Sequence, residues 1–282
     1  MVTARPPHPR THHVVPACAA TDVPRGHDPP SAPPDVPRGP GRTGGRGRAP
    51  SQGPPTTPRC HVPRSPLTAT GLDRWSGRIA AAGWSSGHQT VVGMWHATPL
   101  DRPVVDVMWV DPDGRRTLLA PSTAAATAIA DLYAFDAVRV VAIRGGADAD
   151  RVHVEAGPLT VDLQLAPRDW RSWLFATRPR ALRRSPAWIA VEDRLVPWLA
   201  GPLLGGAPGV RLAGPTPGGR HEWYGIDDYR PVRTGALTVE GRPAGTLGPL
   251  RQGLGVGLSD FPTHPALCHV TTLIEAPGPD GG

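Results

Sequence analysis

The chain has 282 residues, with 30 Arg against 24 acidic side chains and neither Lys nor Asn. Without that amine, internal Schiff bases, lysine-anchored pyridoxal phosphate and Walker-type phosphate binding are all excluded. The positive excess is confined to residues 1–66, which hold nine Arg and three Asp, whereas residues 67–282 balance 21 Arg with 21 acidic side chains.

Residues 1–66 also carry 17 of the 37 Pro and no Trp, Tyr or Phe, and Asp22-Val23-Pro24-Arg25-Gly26 recurs as Asp35-Val36-Pro37-Arg38-Gly39. Such a segment has nothing to bury against the entropy of ordering, so a disordered Pro/Arg/Gly-rich leader is predicted. Its GC-rich composition also reads as a start-site error, with the true start nearer Val62. Arg42, Arg46 and Arg48 lie among glycines but without aromatic residues to stack on bases, so no specific nucleic-acid partner is expected. His8, His12, His13 and Cys18 lack the fixed geometry a metal needs, and no metal is expected. Cys18, Cys60 and Cys268 are too few and too scattered for a disulfide framework, which suits a cytoplasmic protein. The apolar stretch Trp188 to Leu204 is interrupted by Glu192, Asp193, Arg194 and Pro197, so no membrane span is expected. Residues 67–276 are predicted to form a single globular domain, about the size at which roughly 70% of the unfolded chain's surface is buried. Residues 277–282 are expected to be a disordered tail.

Strand character begins at His88. In His88 to His96, alternation places His88, Thr90, Val92, Met94 and His96 on one face and Gln89, Val91, Gly93 and Trp95 on the other. Val104 to Val110 and Arg115 to Ala120 flank the turn Asp111-Pro112-Asp113-Gly114 and predict a hairpin. Ser122 is placed to cap a helix over Ala124 to Tyr133. Val138 to Ile143 returns to strand, Gly145-Gly146 reads as a turn, and two alternating strands follow near Arg151 to Glu155 and Thr160 to Leu165. From Arg168 to Leu204 the period becomes helical, predicting two short helices joined around Arg183 to Pro186, the second broken at Pro197. Gly205 to Gly219 reads as a mobile loop. Strands are predicted again near His221 to Tyr229, Gly235 to Glu240, Leu250 to Leu258 and Leu267 to Glu275. The class is α+β, mainly β: a curled antiparallel sheet, barrel or sandwich-like, with a few short helices.

Gly83-Trp84-Ser85-Ser86-Gly87 matches the G-x-S-x-G nucleophile elbow, but a strand rather than a helix follows, and partners such as Asp228 and His264 would have to come from afar. His221-Glu222-Trp223-Tyr224-Gly225-Ile226-Asp227-Asp228-Tyr229 concentrates a His, three carboxylates and three aromatic residues. Its candidate acid–base residues are His221, Asp227 and Asp228. On a strand, His221, Trp223, Gly225 and Asp227 share one face, and Glu222, Tyr224, Ile226 and Asp228 the other. Asp106 interrupts an apolar run, where a carboxylate is costly unless an Arg pairs with it, it lies at an edge, or it lines a cavity; pairing or an edge is the favoured expectation. Arg168, Arg171, Arg178, Arg180, Arg183 and Arg184 surround Trp170 and Trp173 on the helical segment, a face suited to water, phosphate, an acidic partner or a bilayer surface.

Val91-Val92-Gly93-Met94-Trp95, Asp106-Val107-Met108-Trp109-Val110-Asp111-Pro112-Asp113-Gly114, Tyr133-Ala134-Phe135-Asp136-Ala137-Val138-Arg139-Val140-Val141 and Glu222-Trp223-Tyr224-Gly225 resemble a family of uncharacterised actinobacterial proteins over most of residues 72–276. That resemblance implies a single domain and no particular activity. The order hairpin, short helix, strand is also similar to the acetoacetate decarboxylase-like architecture, which implies a curled sheet around a small-molecule cavity; without Lys, imine-forming decarboxylation is excluded. The favoured expectation is a β-rich domain that binds a small apolar or amphipathic molecule, without a cofactor, through Trp95, Asp106, Trp223 and Tyr224. The alternatives are a cofactor-independent hydrolase or lyase using His221 with Asp227 or Asp228, and an interaction protein using the Arg-rich helical face.

Overall fold

The computed structural model describes residues 71–100, 102–204 and 209–276; the expected leader, with its His and Cys side chains, and the expected tail lie outside them. In chain order the elements are β1 (Leu72–Trp84), β2 (Gln89–Ala97), β3 (Val104–Val110), β4 (Arg116–Ala120), α1 (Thr123–Ala130), β5 (Ala137–Val140), β6 (Ile143–Ala147), β7 (Arg151–Ala156) and β8 (Leu159–Leu165). There follow α2 (Trp170–Thr177), α3 (Arg180–Arg183), α4 (Pro186–Leu204), β9 (Ala213–Pro215), β10 (His221–Val239), β11 (Arg242–Pro243), β12 (Leu247–Gly248) and β13 (Ala266–Glu275).

All the strands belong to one sheet, ordered β5-β4-β3-β2-β1-β13-β10-β8-β7-β6, with β9 and β11 beside β10 and β12 beside β1. Pairing is antiparallel except between β4 and β5, which run parallel. The sheet is mainly antiparallel but mixed, and it does not close. Its end strands β5 and β6 are nevertheless separated in the chain by only Val141 and Ala142, a reach of roughly 10 Å, so the sheet must curl until its ends lie near one another.

Alternation along the strands gives each half of the sheet two working faces. Ala80, Ala82 and Trp84 of β1, with Val92 and Met94 of β2, pack against Val152, Val154, Val161 and Leu163 from β7 and β8 to form the larger core. Trp84 buries its indole there and donates to Thr90 Oγ1 at 3.1 Å. On the opposite face, α1 covers Val104, Leu118 and Ala120 with Ala125, Ala126 and Ile129. Further along that face lie α2 and α4. Strand β10 ties the halves together: its first part pairs with β13, its second with β8, and irregularities at Ile226/Asp228 and Val232/Thr234 let it turn between them.

The mainly β architecture with few helices is the one the sequence pattern implies. The 111–114 turn forms the expected hairpin, and Ser122 caps α1 by accepting from Ala125 N. Several local expectations differ. Strand β1 carries no strand signal in the sequence, because Gly77, Ala80, Ala81, Ala82 and Gly83 have weak strand propensity and a strand covered on both faces has no polar alternation. Gly145 and Gly146 lie within β6, paired with Val154 and His153, instead of forming the turn. Pro197 sits inside α4, which continues to Leu204; buried Asp193 anchors the helix by accepting from Leu212 N and Arg211. The expected loop of residues 205–219 contains β9. Leu250 to Leu258 is irregular, since Gly253 and Gly255 adopt φ of 73° and 62°, outside the strand region.

Leu163 is fully buried where β8 meets the first strands. Leu163→Ala is therefore expected to destabilise the fold by about 2–5 kcal/mol, read from urea unfolding midpoints.

Candidate functional site

A cavity of about 350 Å³ lies on the face turned away from the larger core. Its floor is made by alternate residues of β1, β2, β3 and β13, including Ile79, Ala81, Val91, Met108 and Val270. Leu174 and Phe175 of α2, and Trp188, Leu195 and Leu199 of α4, form one wall, and Val256 and Phe261 come from the loop before β13. The lining is overwhelmingly apolar.

Asp106 is the exception in the floor. Its carboxyl is buried, Oδ1 accepts from Trp95 Nε1 at 2.9 Å, and Oδ2 has no hydrogen-bond partner among the described residues. Burial in this apolar setting drives its pKa up from 3.8 to about 7, and the Trp95 bond only partly opposes the rise. Trp95 is held edge-on against Trp75, with ring centroids 5.6 Å apart. Gly93 sits opposite Asp106 in the β2–β3 register, and a Cβ there would lie 2.5 Å from Asp106 Oδ1 and 2.6 Å from Trp95 Nε1. The close approach of these two groups thus requires glycine at 93.

A second buried carboxyl, Glu222 of β10, lies next to the cavity lining. Glu222 accepts from Tyr133 Oη at 2.5 Å and Tyr224 Oη at 2.8 Å, and the two phenols, 3.3 Å apart, both line the cavity. Burial raises Glu222 from 4.5 to about 7 despite those two bonds, and it pushes both phenols well above their ordinary range. Cys268 also lines the cavity, but burial lifts its thiol to about 12, so it remains a thiol and not a nucleophile at neutral pH. At the wall, Arg178, which follows α2, pairs with Glu192 of α4 at 2.5 Å, and Trp188 Nε1 donates to the same carboxylate at 2.8 Å. Asp193 pairs with Arg211 at 2.7 Å. These charges are committed to holding the helices.

Of the residues singled out from sequence, Trp95, Asp106 and Tyr224 line one cavity. Asp106 meets no Arg among the described residues, and β3 lies inside the sheet, not at its edge. Trp223 is not part of the lining; its ring lies against His221, with centroids 4.4 Å apart. Asp227 pairs with Arg183 at 3.0 Å, and Asp228 with Arg168 at 2.5 Å. His221 makes no hydrogen bond or ion pair with either of them among the described residues. His221 and Asp227 are six residues apart on β10, roughly 20 Å along a strand, while Glu222, Tyr224 and Ile226 turn to the covered face. Glu222 and Tyr133 are the additional polar groups here: Glu222 was visible in the charged nonapeptide, while Tyr133 gave no signal beyond its place after α1.

The elbow sequence joins β1 to β2. Ser85 Oγ accepts from Thr246 N at 2.9 Å and Ser86 Oγ donates to Ala244 O at 2.5 Å, so both hydroxyls brace a turn, and neither bonds a base among the described residues. Among the described residues, no group of three or more His, Cys, Asp or Glu side chains is placed to hold a metal ion.

No protein-family model matches the chain, and no curated protein matches it. Among solved structures, one match is a crystal structure from Nitrosomonas europaea provisionally assigned as an AttH. It is 14% identical over 78% of this chain and 59% of its own length, with a TM-score of 0.28. This chain therefore spans less than two thirds of that protein, and so loose a likeness transfers neither site nor activity.

Because Asp106 and Glu222 have raised folded-state pKa values, the native state holds their protons more tightly than the unfolded chain does. Their contribution is most favourable below about pH 4 and is lost as pH rises towards about 7. Asp136, bonded to Arg116, and Asp162, bonded to Arg151, have lowered values and act in the opposite sense, losing stability in acid. Asp106→Asn keeps an acceptor for Trp95 and removes one titration. Urea midpoints should fall less between pH 5 and 8 (both approximate) in Asp106→Asn than in the parent, making the variant the more stable protein at the alkaline end by an amount on the order of a few kcal/mol.

Proposed function

We propose that this domain binds a small apolar or amphipathic molecule in the cavity beneath α2 and α4, and that protonated Asp106 donates a hydrogen bond to its polar group. The observation that carries this reading is the buried Oδ2 of Asp106, without a partner among the described residues, in the mainly apolar floor of the cavity. An unsatisfied buried hydroxyl is costly, and a ligand carbonyl, ether or hydroxyl oxygen would accept from it without bringing a charge into the cavity. The volume lies at the lower end of ordinary ligand sites. Trp95 fixes the carboxyl's orientation through Oδ1, leaving Oδ2 for the ligand. A formally charged carboxylate ligand is disfavoured here, because its charge would have to leave water for an apolar site.

A second reading is favoured by the same raised pKa. A carboxyl that titrates near neutrality can deliver or accept a proton, so Asp106 is the candidate acid–base group for a cofactor-independent reaction on the bound molecule. In this reading Asp106 takes the place considered for His221, Asp227 and Asp228, whose side chains are engaged elsewhere. The two readings differ in turnover: Asp106→Asn should abolish it in the enzyme and leave nothing to abolish in a binding protein.

N-phenyl-1-naphthylamine, a neutral fluorescent probe, tests the cavity. Its emission should rise on mixing with the parent protein, and Ala81→Trp, which fills the floor, should weaken binding at least about tenfold. A long-chain ketone that displaces the probe should compete about tenfold less well above the Asp106 titration than below it, and Asp106→Asn should remove that pH dependence. Equal probe binding in the parent and Ala81→Trp proteins would place the probe elsewhere and sink the proposal.

A further inference from the structure

Large apolar side chains are exposed mainly in one part of this molecule. Of the eleven that the described residues leave exposed, nine lie between Trp170 and Leu199. On α2, Trp170, Trp173 and Leu174 follow the i, i+3, i+4 spacing, so they share a face. On α4, Trp188, Val191, Leu195, Trp198 and Leu199 recur at helical spacing along one stripe. Trp170, Trp173 and Trp198 are 59%, 62% and 81% exposed. Isolated surface leucines need no explanation, but four tryptophans on two adjacent segments do.

The charge around them is positive. Residues 168–199 contain seven Arg and three acidic side chains. Asp227 and Asp228 of β10 answer Arg183, Arg184 and Arg168, while Asp169 and Glu192 answer Arg171 and Arg178. Arg180 and Arg194 have no ion pair among the described residues. A second copy apposed through this face in a two-fold dimer would bring Arg against Arg, which is unfavourable. An anionic bilayer presents the complementary charge, and its interface is where the amphipathic indole ring is favoured. Among the described residues no helix is long and apolar enough to cross a membrane, so contact would be with helices lying along the surface.

The face is also continuous with the cavity. Leu174, Trp188, Leu195 and Leu199 are exposed and at the same time line its wall.

We propose that α2 and α4 form a docking surface for an anionic lipid bilayer, which sets the mouth of the cavity against the lipid. Docking follows from the tryptophan and arginine pattern and does not require a ligand for Asp106. Loading of the cavity from the bilayer rests on the binding reading above, and the probe assay reports on it separately.

The test is co-sedimentation of the full chain with phosphatidylcholine vesicles, with and without phosphatidylglycerol. Binding to the anionic vesicles should be the stronger and should fall with added salt, and tryptophan emission should move to shorter wavelength on binding. Trp173→Ala/Trp198→Ala and Arg180→Glu/Arg194→Glu should each lower the partition coefficient at least about tenfold, while binding of N-phenyl-1-naphthylamine stays at the parent level because none of the four residues lines the cavity. Failure of the parent to bind anionic vesicles overturns the proposal. So does binding that survives both double substitutions, since it would then come from the arginines of residues 1–66. A concentration-dependent dimer that is lost in Trp173→Ala/Trp198→Ala, without vesicle binding, would assign the face to a second copy instead. Loss of probe binding with vesicle binding intact would count against the cavity reading alone.

Discussion

Strands β1, β2 and β3 are covered on both faces, by the curled-over second half of the sheet on one side and by helices and loops on the other. Any polar side chain they carry must find its partner inside the protein or go without. Thr90 on β2 meets this demand by receiving Trp84 Nε1. Asp106 on β3 meets it by half: one oxygen has Trp95 and the other has no partner among the described residues. The space that makes this arrangement possible is the missing side chain of Gly93 directly across the ladder. A charged Asp106 would be disfavoured at this depth, and the rise of its pKa to about 7 is the same desolvation expressed as a titration.

The helices above the cavity are held differently from the core. Their buried ties are polar: Arg178 with Glu192, Arg183 with Asp227, and Asp193 with Arg211 and the backbone at Leu212. Ile189 is fully buried on α4, while the helix leaves an apolar stripe outside. Such a cover is positioned by directional bonds instead of by extensive apolar packing. The Arg-rich cluster therefore has two roles in this account. Most of its guanidinium groups pin the cover to β10 or to neighbouring acids, and Arg180 and Arg194 are left to set the charge of the outer surface.

Where alternation was clean, the sequence was a good guide. The two faces of β2 and the separation of Glu222, Tyr224 and Ile226 from His221 and Trp223 appear in the structure as read, with Tyr224 beside the cavity; the irregularity at Ile226/Asp228 shifts the alternation beyond that point. The hairpin at 111–114 and the cap at Ser122 rest on local chemistry that needs no tertiary context. The unanticipated β1 shows the limit: Ala80, Ala81 and Ala82 are small because both faces are crowded, and small residues carry little strand signal. Pro197 argued for a break in α4, but Asp193 and its partners hold that helix through the proline. For the candidate site, Asp106 stood out because it interrupts an apolar run, yet its solitude depended on knowing that no Arg reaches it. Tyr133 and Glu222 meet across 89 residues of chain, a pairing that no local pattern encodes.

The most direct measurement is the titration of the Asp106 side-chain carboxyl by carbon-13 NMR, assigned by comparison with Asp106→Asn. A midpoint near 7, moving further upward when an apolar hydrogen-bond-accepting ligand fills the cavity, is the predicted result. A midpoint near the ordinary aspartate value of 3.8, unchanged by ligand, would mean that the carboxyl is solvated or paired with a cation, and would contradict a protonated donor in an apolar cavity.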